Sequence, residues 1–363
     1  MLKQTDQTDQ TDQTDQTQEP FHLIEIINGD VFTGVTRKME SEVSLIKRLR
    51  TEVTHEVVIM KNIIRKLDEV LDGEIDRPIG CWTHFYSVLE KLQHYRDRVV
   101  VVFEYHSYSD LPRLSKELAD VVVTTRVKQP AVWDYMLPSF LKDDLISEIT
   151  DSFDVDRYLS SEDAGDGSRE RPFKLGMFSR LVSRKKIHLT PDVVIDLVTK
   201  DIENGRRSYY HIIFVGSWIS KNYKKSIIRN LEVLNRDPDD PIITIEDRGF
   251  QDVTAISDFD VLIFLSELDA IPFTLLERKL YGLPALVSSK EIEWIDYLCD
   301  NDCFRTTDDL WDYLQSCNRA KSILRKRSIL SLCKHTESTD GIVQTMSEIL
   351  NRIETEINRV RQL

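Results

Sequence analysis

Two stretches of this chain place charged side chains where anion chemistry can be done. The first is LGMFSRLVSRKK (175–186), in which an apolar run gives way to Arg180, Arg184, Lys185 and Lys186. Cations just past the end of a buried strand can neutralise a diphosphate leaving group, and electrostatic stabilisation of that type is often the largest catalytic contribution. The second is DVLIFLSELDAIPFTLLERKLYGLPALVSS (260–289). Here a strand-like run leads to Asp269, to a helix opening at Phe273, Thr274 and Leu275, and to Glu277 inside that helix. The first turn of a helix has free backbone N–H groups, expected near Thr274 and Leu275, and the helix dipole adds to their preference for an anion. Asp269 and Glu277 bracket that turn as carboxylates, which accept hydrogen bonds from sugar hydroxyls. A basic cluster alone is usually a solvated face. Its place at a strand end, in the same half of the chain as the carboxylate–helix loop, favours a functional role for Arg180 and Lys185.

These residues need a rigid frame, and the chain has the material for one. Its 363 residues, 41% hydrophobic and 30% charged, are enough for two packed domains. Lys and Arg number 48 against 62 Asp and Glu, a net charge of −14, which argues against nucleic acid as a partner. No run of ~18 apolar residues is present, and the N-terminus has no signal-peptide stretch, so a cytoplasmic protein is expected. Five cysteines (Cys81, Cys299, Cys303, Cys317, Cys333) are too sparse for a disulfide framework, and free thiols are expected. Residues 1–20 carry a Thr-Asp-Gln repeat and read as a disordered tail.

Order begins at Phe21. HLIEII (22–27), HEVVIM (55–60), RVVVVFEYHS (98–107) and ADVVVTT (119–125) read as buried strands, with helices over 36–50 and 62–71. Strand and helix in alternation predict a parallel sheet with right-handed crossovers. Residues 161–172, rich in charge, Gly and Pro, read as a linker. FKLGMF (173–178), YHIIFVG (210–216), PIITIE (241–246), DVLIFLS (260–266) and LPALVS (283–288) predict a second such sheet, after which the pattern turns helical. The segment 336–363 has apolar residues at 342, 346, 349, 350, 353, 357 and 360, an amphipathic helix that needs a surface to cover. The expectation is an α/β protein of two doubly wound, Rossmann-like domains, 21–160 and 173–335, with C-terminal helices and the binding site in the cleft between them.

The ordered chain resembles GT-B glycosyltransferases of the retaining family 4 type. SELDAIPFTLLERKLYGLPAL (266–286) is similar to the family's carboxylate–seven residues–glutamate phrase, with Asp269 and Glu277 at its acidic positions, and SRLVSRKK to the phrase whose Arg and Lys hold the donor diphosphate. In the N-terminal half, TGVTRKMESEVSLIKRLRTEVTHEVVIM (33–60) resembles the acceptor loop and its helix, with Thr33 and Gly34 at the glycine positions, and VVVVFEYHS supplies His106 in the cleft. DSFDVDRY (151–158) echoes a phrase before the linker.

The resemblance implies a hexosyltransferase of glycan biosynthesis. It would move a sugar from a nucleotide-diphosphate sugar to a glycan, lipid-linked or small-molecule acceptor, with retention and without metal or other cofactor. Glu277 would hold the ribose, Asp269 the sugar, Arg180 and Lys185 the diphosphate, and the acceptor would enter over Gly34 towards His106. Four positions depart from the family's pattern: Asp269 for Glu, Ala270, Thr33 and Ser179 for Gly. They keep a non-catalytic sugar-binding scaffold open beside the enzyme, as is an epimerase of the same shape. Arg37, Lys38, Lys47, Arg48, Arg50, Lys61, Arg65 and Lys66 gather positive charge in the first two helices. That charge suits either a solvated face or peripheral contact with an anionic inner membrane surface. His84 reads as structural.

Overall fold

The computed structural model describes residues 20–27, 34–72, 79–105, 118–125, 134–137, 140, 172–249, 253–266, 272–288, 303–316 and 338–362. Twelve strands among them form two six-stranded parallel sheets.

The first sheet contains β1 (His22–Ile27), β2 (Thr54–Ile59), β3 (Ile79–Thr83), β4 (Val99–Tyr105), β5 (Val121–Thr124) and β6 (Tyr135–Met136), in the order β2-β1-β3-β4-β5-β6. Helices α1 (Gly34–Leu49), α2 (Ile63–Asp72) and α3 (Tyr86–Leu92) lie between its strands in sequence. β4 is buried along its whole length, as a strand covered on both faces must be. One face packs Ile24, Ile26, Val99 and Val101 with α2 and α3; the other packs Leu23, Trp82, Val100 and Val102 with Leu45 and Ile46 of α1. β3 is not visible in the sequence pattern, because Gly80 interrupts a short run. A Cβ there would lie 3.0 Å from Leu23 Cδ1, so the glycine lets β1 and β3 nest.

The second sheet contains β7 (Phe173–Phe178), β8 (Tyr210–Val215), β9 (Ile243–Gly249), β10 (Val261–Phe264), β11 (Ala285–Val287) and β12 (Cys303–Phe304). Their order is β12-β11-β10-β7-β8-β9. Its helices are α4 (Thr190–Glu203), α5 (Lys221–Glu232), α6 (Phe273–Leu280) and α7 (Thr307–Ser316). Ser220 caps α5 by accepting the Tyr223 backbone N–H at 3.2 Å, and Pro191 sits at the start of α4, where its missing N–H costs nothing. Gly176 in β7 lies where the Phe259 ring packs; a Cβ would meet that ring at 2.2 Å. β12 departs from the purely helical reading after residue 300, extending the sheet by one short strand before α7. Cys303, on β12, is disulfide-bonded rather than a free thiol, while Cys81 is free and buried.

The last helix, α8 (Ser338–Arg361), returns to the first sheet. Its Ile342, Met346, Ile349, Leu350, Ile353 and Ile357 are buried against Phe21, Leu23, Trp82, Val100 and Val102. The surface that this stripe was expected to need is therefore the α1 side of the first sheet. Ile353→Val, which removes one methyl from this contact, is expected to cost ~1 kcal/mol, measurable as a lower denaturant midpoint at unchanged slope. Among the described residues no helix is long and apolar enough to cross a membrane.

Candidate functional site

In an open parallel sheet, the crevice at the point where strand order reverses, beyond the carboxyl ends, is where ligands bind. The second sheet reverses between β7 and β10, with β8 and β9 on one side and β11 and β12 on the other. Arg180 follows β7, and α6 follows β10. The sequence thus fixes both charged segments at the reversal.

Four contacts hold them there. The Thr274 hydroxyl donates to the Phe178 carbonyl at 3.2 Å, pinning the first turn of α6 to the end of β7. The Ser179 N–H donates to Val215 O at 3.1 Å and the Leu181 N–H to Ser217 O at 2.9 Å, so the backbone on both sides of exposed Arg180 stays paired with the β8 segment. Lys185 Nζ lies 5.8 Å from the centroid of the Phe264 ring at the end of β10, a cation–π distance. Gly216 makes the Ser179 approach possible: its φ is +144°, and a Cβ would fall 1.8 Å from the Ser179 carbonyl oxygen. Lys186 takes the left-handed conformation, φ 56°, at the turn after Lys185.

Phe273 and Leu275 are buried, and Leu275 belongs to the core beneath β10, so their side chains are structural. The Leu275 N–H turns back to Pro272 O at 3.0 Å. The expected free amide therefore shifts one turn position earlier, towards Phe273 and Thr274, whose N–H groups precede the first bond of the helix.

Glu277, on the next turn of α6, is 0% exposed. Its partner comes from the other half of the chain: Arg37 Nη1 of α1 stands 2.6 Å from Glu277 Oε1. This pair brings the start of α1, where Gly34 begins the helix, against the α6 end of the second sheet. Thr33, His106, Asp269, Ala270 and the linker up to residue 171 lie outside the described residues.

Burial pushes the Glu277 carboxyl up to about 7, and Arg37 opposes the rise. The native state then keeps a proton that an ordinary unfolded Glu releases, so stability falls as pH climbs from about 4.5 through about 7. That fall amounts to ~3 kcal/mol, and Glu277→Gln should flatten it in denaturation curves taken at pH 5 and pH 8. Arg37→Ala should cost ~1 kcal/mol more at pH 8 than at pH 6, because only at the higher pH does Glu277 carry the charge that Arg37 neutralises. An equal loss at both values would remove the ion pair from this account.

Comparison with solved structures matches nearly the whole chain. The catalytic domain of starch synthase IV from Arabidopsis thaliana, bound to ADP and acarbose, is 10% identical with a TM-score of 0.66, covering 93% of this chain and 100% of that one. HepE from Anabaena, in complex with UDP and glucose, is 12% identical with a TM-score of 0.60, covering 91% and 99%. A glycosyltransferase from Rickettsia africae is 15% identical with a TM-score of 0.60, covering 93% and 98%. This chain has the GT-B fold. No protein-family model matches the sequence, and no curated protein matches it by sequence. The GT-B likeness is therefore one of architecture: two parallel sheets, each wound on both faces.

Sequence reasoning missed the role of Arg37, which it placed in a basic helix face. The signal was present, since Arg37 lies one turn after Gly34 in the segment likened to the acceptor loop. It also missed that Thr274 acts through its hydroxyl and that Gly216 is required at the β8 end. Lys38 and Arg50 leave the expected patch too, buried in ion pairs with Glu42 and Glu104 and with Glu52 and Glu354. Lys47, Arg48, Lys61 and Arg65 remain exposed.

Proposed function

We propose that the protein is a glycosyltransferase that moves a hexosyl group from a nucleotide-diphosphate sugar to an acceptor, with retention and without a metal. What supports this reading is the Thr274–Phe178 hydrogen bond, which ties the first turn of α6 to the end of β7 two residues before Arg180, with Lys185 over the Phe264 ring at the end of β10. Two cations and a helix N-terminus suit a diphosphate, whose charge grows when the glycosidic bond breaks. That the GT-B neighbours hold UDP with glucose or ADP with acarbose supports the donor class.

In this reading the donor lies along the carboxyl edge of the second sheet. Glu277 faces the ribose while Arg37 balances its charge, and Asp269 positions the sugar. The acceptor, a glycan or a lipid-linked molecule of glycan biosynthesis, enters past Gly34 towards His106. Lys47, Arg48, Lys61 and Arg65, all exposed, are the basic groups that would meet an anionic membrane surface at the cytoplasmic face. The test is direct: calorimetry with UDP and ADP, and transfer from UDP- or ADP-hexose followed by NMR of the product anomer. A nucleotide that binds with transfer and an unchanged anomeric configuration is expected; an inverted product would remove retention.

One observation favours a second reading, a GT-B protein that binds sugar without transferring it. Glu277 is fully buried against Arg37, so its carboxylate is already engaged. Nucleotide binding with no turnover on any acceptor would decide for it.

A further inference from the structure

The first sheet also reverses its order, between β1 and β3. A second set of ionisable side chains gathers there, apart from the residues proposed to bind diphosphate. Glu25 of β1, Glu42 of α1 and Glu104 of β4 are 2%, 1% and 0% exposed. Lys38, itself buried, pairs with both Glu42 and Glu104. Two of these carboxylates share the one ammonium, while Glu25 has only the imidazoles of His55 and His84 beside it, and buried charge left uncompensated is costly.

The geometry shows where the missing charge belongs. Glu25 Oε1 and Glu42 Oε2 are buried and accept no hydrogen bond among the described residues. One ligand atom from each of Glu25, Glu42 and His84 lies within 4.8 Å of the others. His84 Nε2 is 3.8 Å from Glu25 Oε1, while its Nδ1 faces Glu104 Oε2 at 3.6 Å. Glu104 is held in turn by the Trp82 indole N–H at 2.9 Å, and the second oxygen of Glu25 by His55 Nε2 at 3.0 Å. A carboxylate behind one imidazole nitrogen, with ligand oxygens around the other, is the arrangement that orients a metal-binding histidine.

We propose that Glu25, Glu42 and His84 bind a single divalent transition-metal cation at the strand reversal of the first sheet. Glu104 positions His84, and Lys38 holds the outer oxygen of Glu42. A mixed set of one imidazole nitrogen and two carboxylate oxygens suits Zn²⁺, Mn²⁺ or Fe²⁺ better than Mg²⁺ or Ca²⁺, which take oxygen ligands. The site shares no residue with the diphosphate pocket, so its failure leaves the glycosyltransferase reading intact, and the reverse also holds.

The test uses the full chain, stripped with a chelator and shown by circular dichroism to be folded. Titration with Zn²⁺ or Co²⁺ should saturate at one equivalent and raise Tm, and bound Co²⁺ should show visible bands of low coordination number. Zinc-edge X-ray absorption should show one imidazole in an otherwise oxygen shell. Glu42→Gln and His84→Gln should each abolish the cobalt bands, and Glu104→Gln should weaken binding ~10–100-fold. The wild-type measurements stand alone if a variant does not fold: no stoichiometric binding, or an absorption shell with sulfur or without imidazole, overturns the proposal. Cobalt bands that survive both folded ligand variants overturn it as well, as does a stripped chain whose Tm ignores both metals, since its charge is then balanced by protons.

Discussion

If the protein is the glycosyltransferase proposed above, Arg180→Ala is expected to transfer sugar ~100-fold more slowly than wild type, because a preorganised charged donor at a developing anion is worth about that much. The side chain stands exposed between two backbone hydrogen bonds, Ser179 to Val215 and Leu181 to Ser217, so its removal leaves no cavity and the fold should survive. In the proposed reaction the donor diphosphate is charged at the outset and gains charge as its bond to the sugar breaks. Both KM and kcat should therefore worsen, with the larger change in kcat. Arg180→Lys should restore part of the rate by returning the charge without the planar fork. Steady-state kinetics on folded variants measure this. An unchanged rate in Arg180→Ala would move the leaving group away from the β7 end. Lys185, over the Phe264 ring, would then have to act alone.

The second large effect is structural. Gly216→Ala places a methyl 1.8 Å from the Ser179 carbonyl oxygen, at a φ of +144° that L residues rarely adopt. Backbone and side chain clash together, so ~5 kcal/mol of stability should be lost. A protein that survives must shift Ser179–Leu181, and with it Arg180. Gly205 supplies the control. Its φ is +65°, but nothing lies within 4 Å of an added Cβ, so Gly205→Ala should cost only ~1 kcal/mol, from backbone strain. Denaturant unfolding of the two variants side by side separates strain from collision. Similar losses would show that the β8 end yields and that the Ser179 contact is dispensable.

The fold was legible where burial writes a pattern. Strands covered on both faces, such as Val99–Tyr105, read as apolar runs, and the helical spacing of 342–357 showed an apolar stripe. The charged segment after FKLGMF and the helix after DVLIFLS were placed at strand ends, and the structure joins them at one reversal. Legibility failed where a residue's fate depends on a distant partner. Lys38 and Glu42 look like the solvated side of α1, yet both are buried because Glu104 of β4 receives Lys38. Arg37 and Glu277 lie 240 positions apart, and no periodicity connects them. β3 was hidden by Gly80, and β12 by its two-residue length.

The course of α8 has a consequence for biosynthesis. Phe21, Leu23 and Trp82 are made early, as are Leu45 and Ile46 of α1, but the rest of the apolar cover over them belongs to residues 342–357. On the ribosome, the first sheet must wait for the entire second one to be translated before the cover over its outer face, begun by α1, is completed. Nascent chains stalled anywhere in between should recruit chaperones that recognise apolar surface, and should let them go only when that final segment has cleared the exit tunnel.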